Sequence, residues 1–310
     1  MNRRDLLAAL GGASLAAATA RVGAATTARP TSPAVTTDDL MRMALDLVGY
    51  REVPADSAIH HPASGIRRVL FAMDVDTGTL LFAKQSGYDC VIAHHPMDQL
   101  PNAGAVYARH VQTMMSHGVP EDAARAAVTA RLEELEFAGH TYNFDRVTSV
   151  ARALGIGFVG IHNPLDELGR RRMQAHVDEF LATQPAATVG AVVEGLRALP
   201  EFRENPVEVS VRAGNPDAPA GRVAVIHGAY TNGGYAIPAA LFQHGIPTVL
   251  MIHIAQPELA RLRSENRGNL IITGHVGGDS MGFTPYLRAL RERGLEVRTL
   301  GGVSGPEASR

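Results

Sequence analysis

Two kinds of apolar pattern alternate along the chain from Asp39 onward. In TTDDLMRMALDLVGY, Leu40, Met43 and Leu47 recur at helical spacing, with Thr36 or Thr37 placed to cap and acidic residues in the first turn, so a helix is predicted. RRVLFAMDVD and YDCVIA are instead short unbroken apolar runs, which predict strands over Val69 to Val75 and Tyr88 to Ala93. Between them TGTLLFAKQSG reads as a helix of about ten residues. Strand, helix, strand at that spacing is a βαβ unit, whose strands run parallel and are covered on both faces.

The alternation continues. Gly104 to Ala138 is helical in pattern, interrupted at Gly118 and Pro120, and Asp145 to Leu154 predicts another helix leading into a strand, Phe158 to Ile161. ATVGAVVEGLRAL, AIPAALFQHG, PELARLRSENRG and PYLRALRERG read as helices; VEVSV, RVAVIHG, TVLMIHI, NLIIT and LEVRTL read as strands. The predicted class is therefore α/β, with mixed, largely parallel sheets flanked by helices. A lobe boundary is expected near Pro185 to Pro206, giving lobes of about 38–190 and 205–310 within one unit, residues 31–310. No internal repeat of 20 to 50 residues is visible.

Composition narrows the function classes. The 310 residues are 45% hydrophobic and carry a formal net charge of -2, so no basic surface for nucleic acid is evident. Lys84 is the only lysine, in a segment that reads as an exposed helix position. Cys90 is the only cysteine, which excludes an intramolecular disulfide and a thiolate zinc cage. Any metal must be held by nitrogen and oxygen.

Residues 1–30 read as an address. Arg3 and Arg4 precede a short apolar stretch, Leu6 to Ala20, and small-residue cleavage candidates at Ala18-Thr19-Ala20 or Val22-Gly23-Ala24. This is the pattern of a secretory signal of twin-arginine type, so export to the periplasm or exterior is expected. The stretch is too short and too rich in Ala and Gly for a stable membrane span. Its removal would leave 25 basic residues against 30 acidic ones, a net charge of -5.

Ligands of open α/β sheets gather beyond the carboxyl ends of strands. Three predicted strands end in polar clusters there: His94-His95-Pro96, His162-Asn163-Pro164-Leu165-Asp166 and Gly274-His275-Val276-Gly277-Gly278-Asp279. Imidazole with carboxylate suits zinc, iron, manganese or cobalt. Pro96 turns the chain out of the strand, which lets His94 and His95 face one site shared by two ions. Across Gly277-Gly278 the backbone is expected to relax rather than hold regular helical i, i+4 geometry. Asp166 and Asp279 can equally serve as helix N-caps, and Asp74 as a turn former or a partner that orients a histidine. Asp74 or Asp98 could position a ligand or a water. His60-His61-Pro62 repeats the triplet without an apolar run before it and reads as a loop. His227 and His253 follow apolar runs and stand in reserve; His110, His117, His140, His176 and His244 lack such company.

VLFAMDVD with GYDCVIAHHP, then GIHNPLD, then NLIITGHVGGDSMG resemble the signature blocks of the NGG-interacting-factor-like family, also called type 2 GTP cyclohydrolase I homologues. The resemblance spans about Asp39 to Thr299. It implies a two-lobed fold and a dinuclear centre of two divalent ions held by His94, His95, Asp166, His275 and Asp279. It also implies a homo-oligomer, a hexamer built from trimers, and hydrolysis of a small-molecule substrate by a metal-activated water. Asp279 stands where the family usually has Glu, a tryptophan-bearing block near the N-terminus is missing, and the helical segment after the first block is longer. No GxxxxGK[ST] phosphate loop is present. The alternative function is a metal-binding or assembly protein without catalysis.

Overall fold

A computed structural model describes residues 34–96, 103–141, 143–228 and 234–309. The expected signal segment and Asp98 lie outside the described residues. Helix α1 (Thr37–Val48) opens on a capping box: Thr36 Oγ1 accepts from the Asp39 amide at 3.1 Å, and Asp39 Oδ2 accepts from the Thr36 amide at 2.8 Å. Strand β1 (Ala58–His61) follows, and then β2 (Arg68–Ala72), α2 (Thr77–Gln85) and β3 (Cys90–Ala93) form the anticipated βαβ unit. Val69 pairs with Cys90 and Ala72 with Ala93, in parallel register. Lys84 is an exposed helix residue whose ammonium donates to the Gly155 carbonyl at 3.2 Å.

Helices α3 (Ala103–Tyr107), α4 (His110–Ser116) and α5 (Glu121–Gly139) break at Gly118 and Pro120, as the pattern predicts. After α6 (Thr148–Leu154) and β4 (Gly157–Gly160) comes α7 (Asn163–Thr183), a 21-residue helix that the sequence pattern did not announce. The remaining elements are α8 (Val189–Arg197), α9 (Pro200–Arg203), β5 (Ser210–Ala213), β6 (Val223–Ile226), α10 (Ala236–Gln243), β7 (Thr248–Met251), α11 (Gln256–Glu265), β8 (Asn269–Ile272), α12 (His275–Glu292) and β9 (Glu296–Leu300).

The strands form two sheets, ordered β1-β4-β3-β2-β9 and β5-β8-β7-β6. Among the described strands, the edge pairs β1/β4 and β5/β8 are antiparallel and the other pairs are parallel. The class read from the sequence is the class observed, and the C-terminal strand β9 returns to pair with β2 of the first sheet. Strands β3, β4, β6 and β7 are buried along their whole length, which explains their unbroken apolar runs.

Two local expectations are corrected. His60 and His61 are not a loop: they end the edge strand β1. The reason lies in β4, whose glycines let β1 approach closely. A Cβ on Gly160 would come within 2.9 Å of His60 Nε2, and one on Gly157 within 2.8 Å of Ala63 Cβ. The second concerns GHVGGD. Helix α12 begins at His275 and runs through both glycines, so His275 and Asp279 do share regular i, i+4 geometry. Here packing overrides glycine's poor helix propensity, because larger side chains would collide. A Cβ on Gly278 would meet Ile252 Cγ2 at 2.3 Å, and one on Gly277 would meet Phe202 Cδ1 at 2.6 Å.

Helices α7 and α12 cross at two further glycines. A Cβ on Gly282 would lie 2.0 Å from the Leu165 carbonyl oxygen, and one on Gly169 would lie 3.2 Å from the Gly282 nitrogen. Without side chains there, the two backbones meet directly. Asp166 and Asp279, each three residues before its crossing glycine, are thereby brought face to face.

Candidate metal centre

The carboxyl ends of β3, β4, β6 and β8 deliver His94, His162, His227 and His275 to one place, where α7 and α12 contribute Asp166 and Asp279. His94 lies at the floor, fully buried. Its Nδ1 donates to the Ile161 carbonyl at 3.1 Å, which leaves Nε2 aimed at Asp166 Oδ1 (3.2 Å) and Asp279 Oδ2 (3.6 Å). His95 and His162 repeat this device. Asp74 Oδ1 sits 2.6 Å from His95 Nδ1, and the inward Nε2 stands 3.1 Å from His275 Nε2 and 3.9 Å from Asp279 Oδ2. Asp56 Oδ2 sits 2.6 Å from His162 Nδ1, and Nε2 faces Asp166 Oδ2 at 3.3 Å. Fixing Nδ1 by an outer oxygen and presenting Nε2 inward is how proteins orient imidazole for a cation.

His275 Nε2 approaches Asp279 Oδ2 at 3.0 Å. His227 Nε2 lies 3.6 Å from Asp279 Oδ1 and 3.8 Å from Asp166 Oδ1. Three overlapping triplets have ligand atoms mutually within 4.8 Å: His94 with His162 and Asp166, His94 with His95 and Asp279, and Asp166 with His227 and Asp279. All five residues expected from the sequence therefore stand in one connected cluster. His162, named in its block but not expected as a ligand, joins them, and His227 moves from reserve into the cluster. The ring of His253 packs 5.1 Å from that of His275. Both reserves obey the strand-end rule, following β6 and β7, so that rule was the signal for them. Asp56 had none, since its loop carries no pattern pointing at a histidine about a hundred residues away. Asp74 takes the orienting role foreseen as one of its alternatives.

The donor set fits divalent cations. Among the described side chains, His94 Nε2, Asp166 Oδ1, Asp279 Oδ2 and both nitrogens of His227 are buried without a hydrogen-bond partner. Buried polar atoms left so cost roughly 1–3 kcal/mol each, which ligation would offset. The facing nitrogens of His95 and His275 likewise need a proton or a cation between them. Burial grades across the site: the Asp279 side chain is 1% exposed, that of His95 21% and that of His275 40%. The cluster thus has a closed floor and an open side.

Electrostatics point the same way. Burial alone would lower the His94 pKa, but the Asp166 and Asp279 carboxylates outweigh it and raise it to about 10. Burial would raise both carboxyls, and the surrounding imidazoles hold them below the usual range instead. Burial and the neighbouring His275 lower His253 to about 4, so it is neutral at physiological pH. Without a metal, a protonated His94 stands between the two carboxylates.

The same architecture occurs in solved structures. A NIF3 superfamily protein from Sphaerobacter thermophilus is 42% identical, with a TM-score of 0.85 over 88% of this chain and 100% of that one. The protein ybgI, of unknown function, shares 14% identity with a TM-score of 0.50 over 86% of this chain and 98% of its own, a likeness of fold alone. A Bacillus cereus protein related to NIF3 is 10% identical with a TM-score of 0.49, covering 87% and 98% of the two chains. No family model matches the chain, and no curated protein matches it.

Proposed function

The chain belongs to the NIF3, or NGG-interacting-factor-like, superfamily, and we propose that its cluster holds two divalent metal ions and hydrolyses a small-molecule substrate. The supporting observation is the set of imidazoles tied outward at Nδ1 and aimed inward at two buried, mutually facing carboxylates. In this reading His94, His95, Asp166, His275 and Asp279 are the ligands, and His162 and His227 complete the surrounding shell. Ions of this kind supply Lewis acidity and a water ionised near neutral pH. The chain's own residues do the rest. Asp74 and the Ile161 carbonyl fix the tautomers of His95 and His94, the buried floor keeps bulk water from the carboxylates, and the side at His95 and His275 leaves the centre open to solvent. An open side is the mark of a catalytic rather than a closed structural site.

The test is metal analysis of purified protein, followed by assay of phosphate, ester and amide substrates, GTP among them, after loading with zinc, iron, manganese or cobalt. Metal-dependent turnover that disappears in His94→Ala supports the reading. One observation favours a second reading: the carboxylates join α7 to α12 at the heart of the fold, so ions there would also tie these helices together. Strong stabilisation by metal with no turnover across the panel would select that structural role. We also propose export directed by residues 1–30 and assembly into a homo-hexamer, tested by a reporter fusion with Arg3 and Arg4 replaced by lysine and by light scattering.

A further inference from the structure

Beside the cluster lies a second feature that the metal chemistry does not use, a cavity of about 310 Å³. One wall is the first two turns of α7. Asn163, Glu167 and Arg170 line it at i, i+4 and i+7, a single helix face. His162 and Asp166, on the adjoining face, point to the cluster. The opposite wall is α4 and its N-cap, where Arg109, Gln112, Thr113 and Ser116 again share one face. Tyr50 lies between the walls. At the inner end stands His227, which lines the cavity while its Nε2 faces Asp166 and Asp279. The cavity is therefore an antechamber separated from the metal ligands by one imidazole.

Its charge is lopsided. Arg109, Arg170 and Arg171 bring three guanidiniums to the lining, against one carboxylate, Glu167. Glu167 is shared: Arg170 Nε and Nη2 donate to it at 2.8 and 2.9 Å, and Arg171 Nε donates at 2.6 Å. Arg109 has no carboxylate partner among the described residues. It donates to the Tyr50 hydroxyl and lies over that ring, 4.6 Å from the centroid, while the hydroxyl donates to Asn163 Oδ1 at 3.2 Å. This chain of neutral contacts holds the guanidinium in place without neutralising it. Two net positive charges remain in a concave site whose volume is at the lower end for small-molecule pockets.

We infer that this cavity binds the anionic group of the substrate, a phosphate or carboxylate, beside the metal centre and with the His227 imidazole between the two. The inference rests on the proposed function for its catalytic meaning, though not for the binding itself. Planar guanidinium forks match the oxyanion geometry of both groups. Glu167 then sets the orientation of Arg170 and Arg171, and Arg109 supplies charge that no described side chain offsets.

The experiment is calorimetric titration of the full chain, metal-loaded and metal-stripped, with phenyl phosphate, benzoate and benzyl alcohol as probes. Arg109→Met and Arg170→Met are compared with the parent, with metal content and melting temperature recorded for each. Arg109 is exposed and, among the described residues, pairs with the Tyr50 phenol, so its variant serves if Arg170→Met is unstable. The inference expects saturable binding of at least one anion, weakened about 10-fold or more in Arg109→Met at unchanged metal content, with benzyl alcohol at least 10-fold weaker than that anion. A preference between phenyl phosphate and benzoate names the group. Anion affinity unchanged in Arg109→Met, or benzyl alcohol binding as tightly as the anions, overturns it. Absence of metal in the parent, with arginine-dependent binding intact, would instead fault the metal reading and leave the cavity assignment standing.

Discussion

Replacing Gly282 by alanine adds one methyl group and should damage both the fold and the site. Gly282 is a helical glycine without a positive φ, so alanine brings no backbone strain and by propensity alone would stabilise by roughly 0.5–1 kcal/mol. The added Cβ, however, lies 2.0 Å from the Leu165 carbonyl oxygen, more than an ångström short of ordinary contact at 3.4 Å, and the obstacle is backbone that cannot rotate away. Overpacking of this kind costs typically 1–3 kcal/mol and occasionally more. The severity of the clash places the loss at about 3 kcal/mol and the net effect near 2 kcal/mol. Relief requires α7 and α12 to part, which separates Asp166 from Asp279. Gly169→Ala, whose Cβ would sit 3.2 Å from the Gly282 nitrogen, should cost less. Gly104→Ala, with ordinary contact at 3.8 Å, should be neutral or stabilising. Urea denaturation of metal-stripped proteins gives the stability order, and competition with a chelator gives metal affinity, expected to fall about 10-fold or more in Gly282→Ala. A Gly282→Ala protein as stable as the parent, with equal metal affinity, would refute the claim that this crossing sets the carboxylate pair.

The sequence carried the βαβ unit and the strand ends because both depend on short-range patterns: apolar runs, a helix between them, and polar residues where the strand stops. The polar clusters that hold the five expected residues were visible for the same reason. Helix α7 was not. Its buried stripe, Leu165, Gly169, Met173 and Val177, is interrupted by Arg170, Arg171 and Arg172 and contains a glycine, so its periodicity is diluted. The helical start of α12 was hidden too, because its glycines serve close tertiary contacts that no local rule reports. Asp56 lies 106 positions from His162, and Tyr50 and Arg109 of the guanidinium cavity lie 59 apart, so only the folded chain supplies their proximity.

Asp74→Asn should weaken metal affinity roughly 10- to 100-fold without abolishing it, since Asp74 only orients His95; isothermal titration with zinc measures this. In metal-free protein, His94 is raised from 6.5 to about 10, so its contribution to stability is full below pH 6.5 and lost as pH rises to about 10. Urea midpoints in chelator should therefore fall over that window, whereas rising stability there would contradict the assigned proton. Because ligation needs the neutral imidazole, metal uptake near neutral pH should release protons, seen as a binding heat that varies with the ionisation enthalpy of the buffer. Burial pushes the Cys90 thiol above its ordinary range, so iodoacetamide should label it only after unfolding, and rapid labelling of native protein would count against its place in β3.

The most direct measurement is anomalous X-ray diffraction from crystals of natively purified protein, collected at the absorption edges of zinc, iron, manganese and cobalt. The account predicts two metal peaks per chain, each about 2.0–2.3 Å from donor atoms of His94, His95, Asp166, His275 and Asp279. An electron-density map with no anomalous peak among these side chains, or with metal bound elsewhere on the chain, would contradict it.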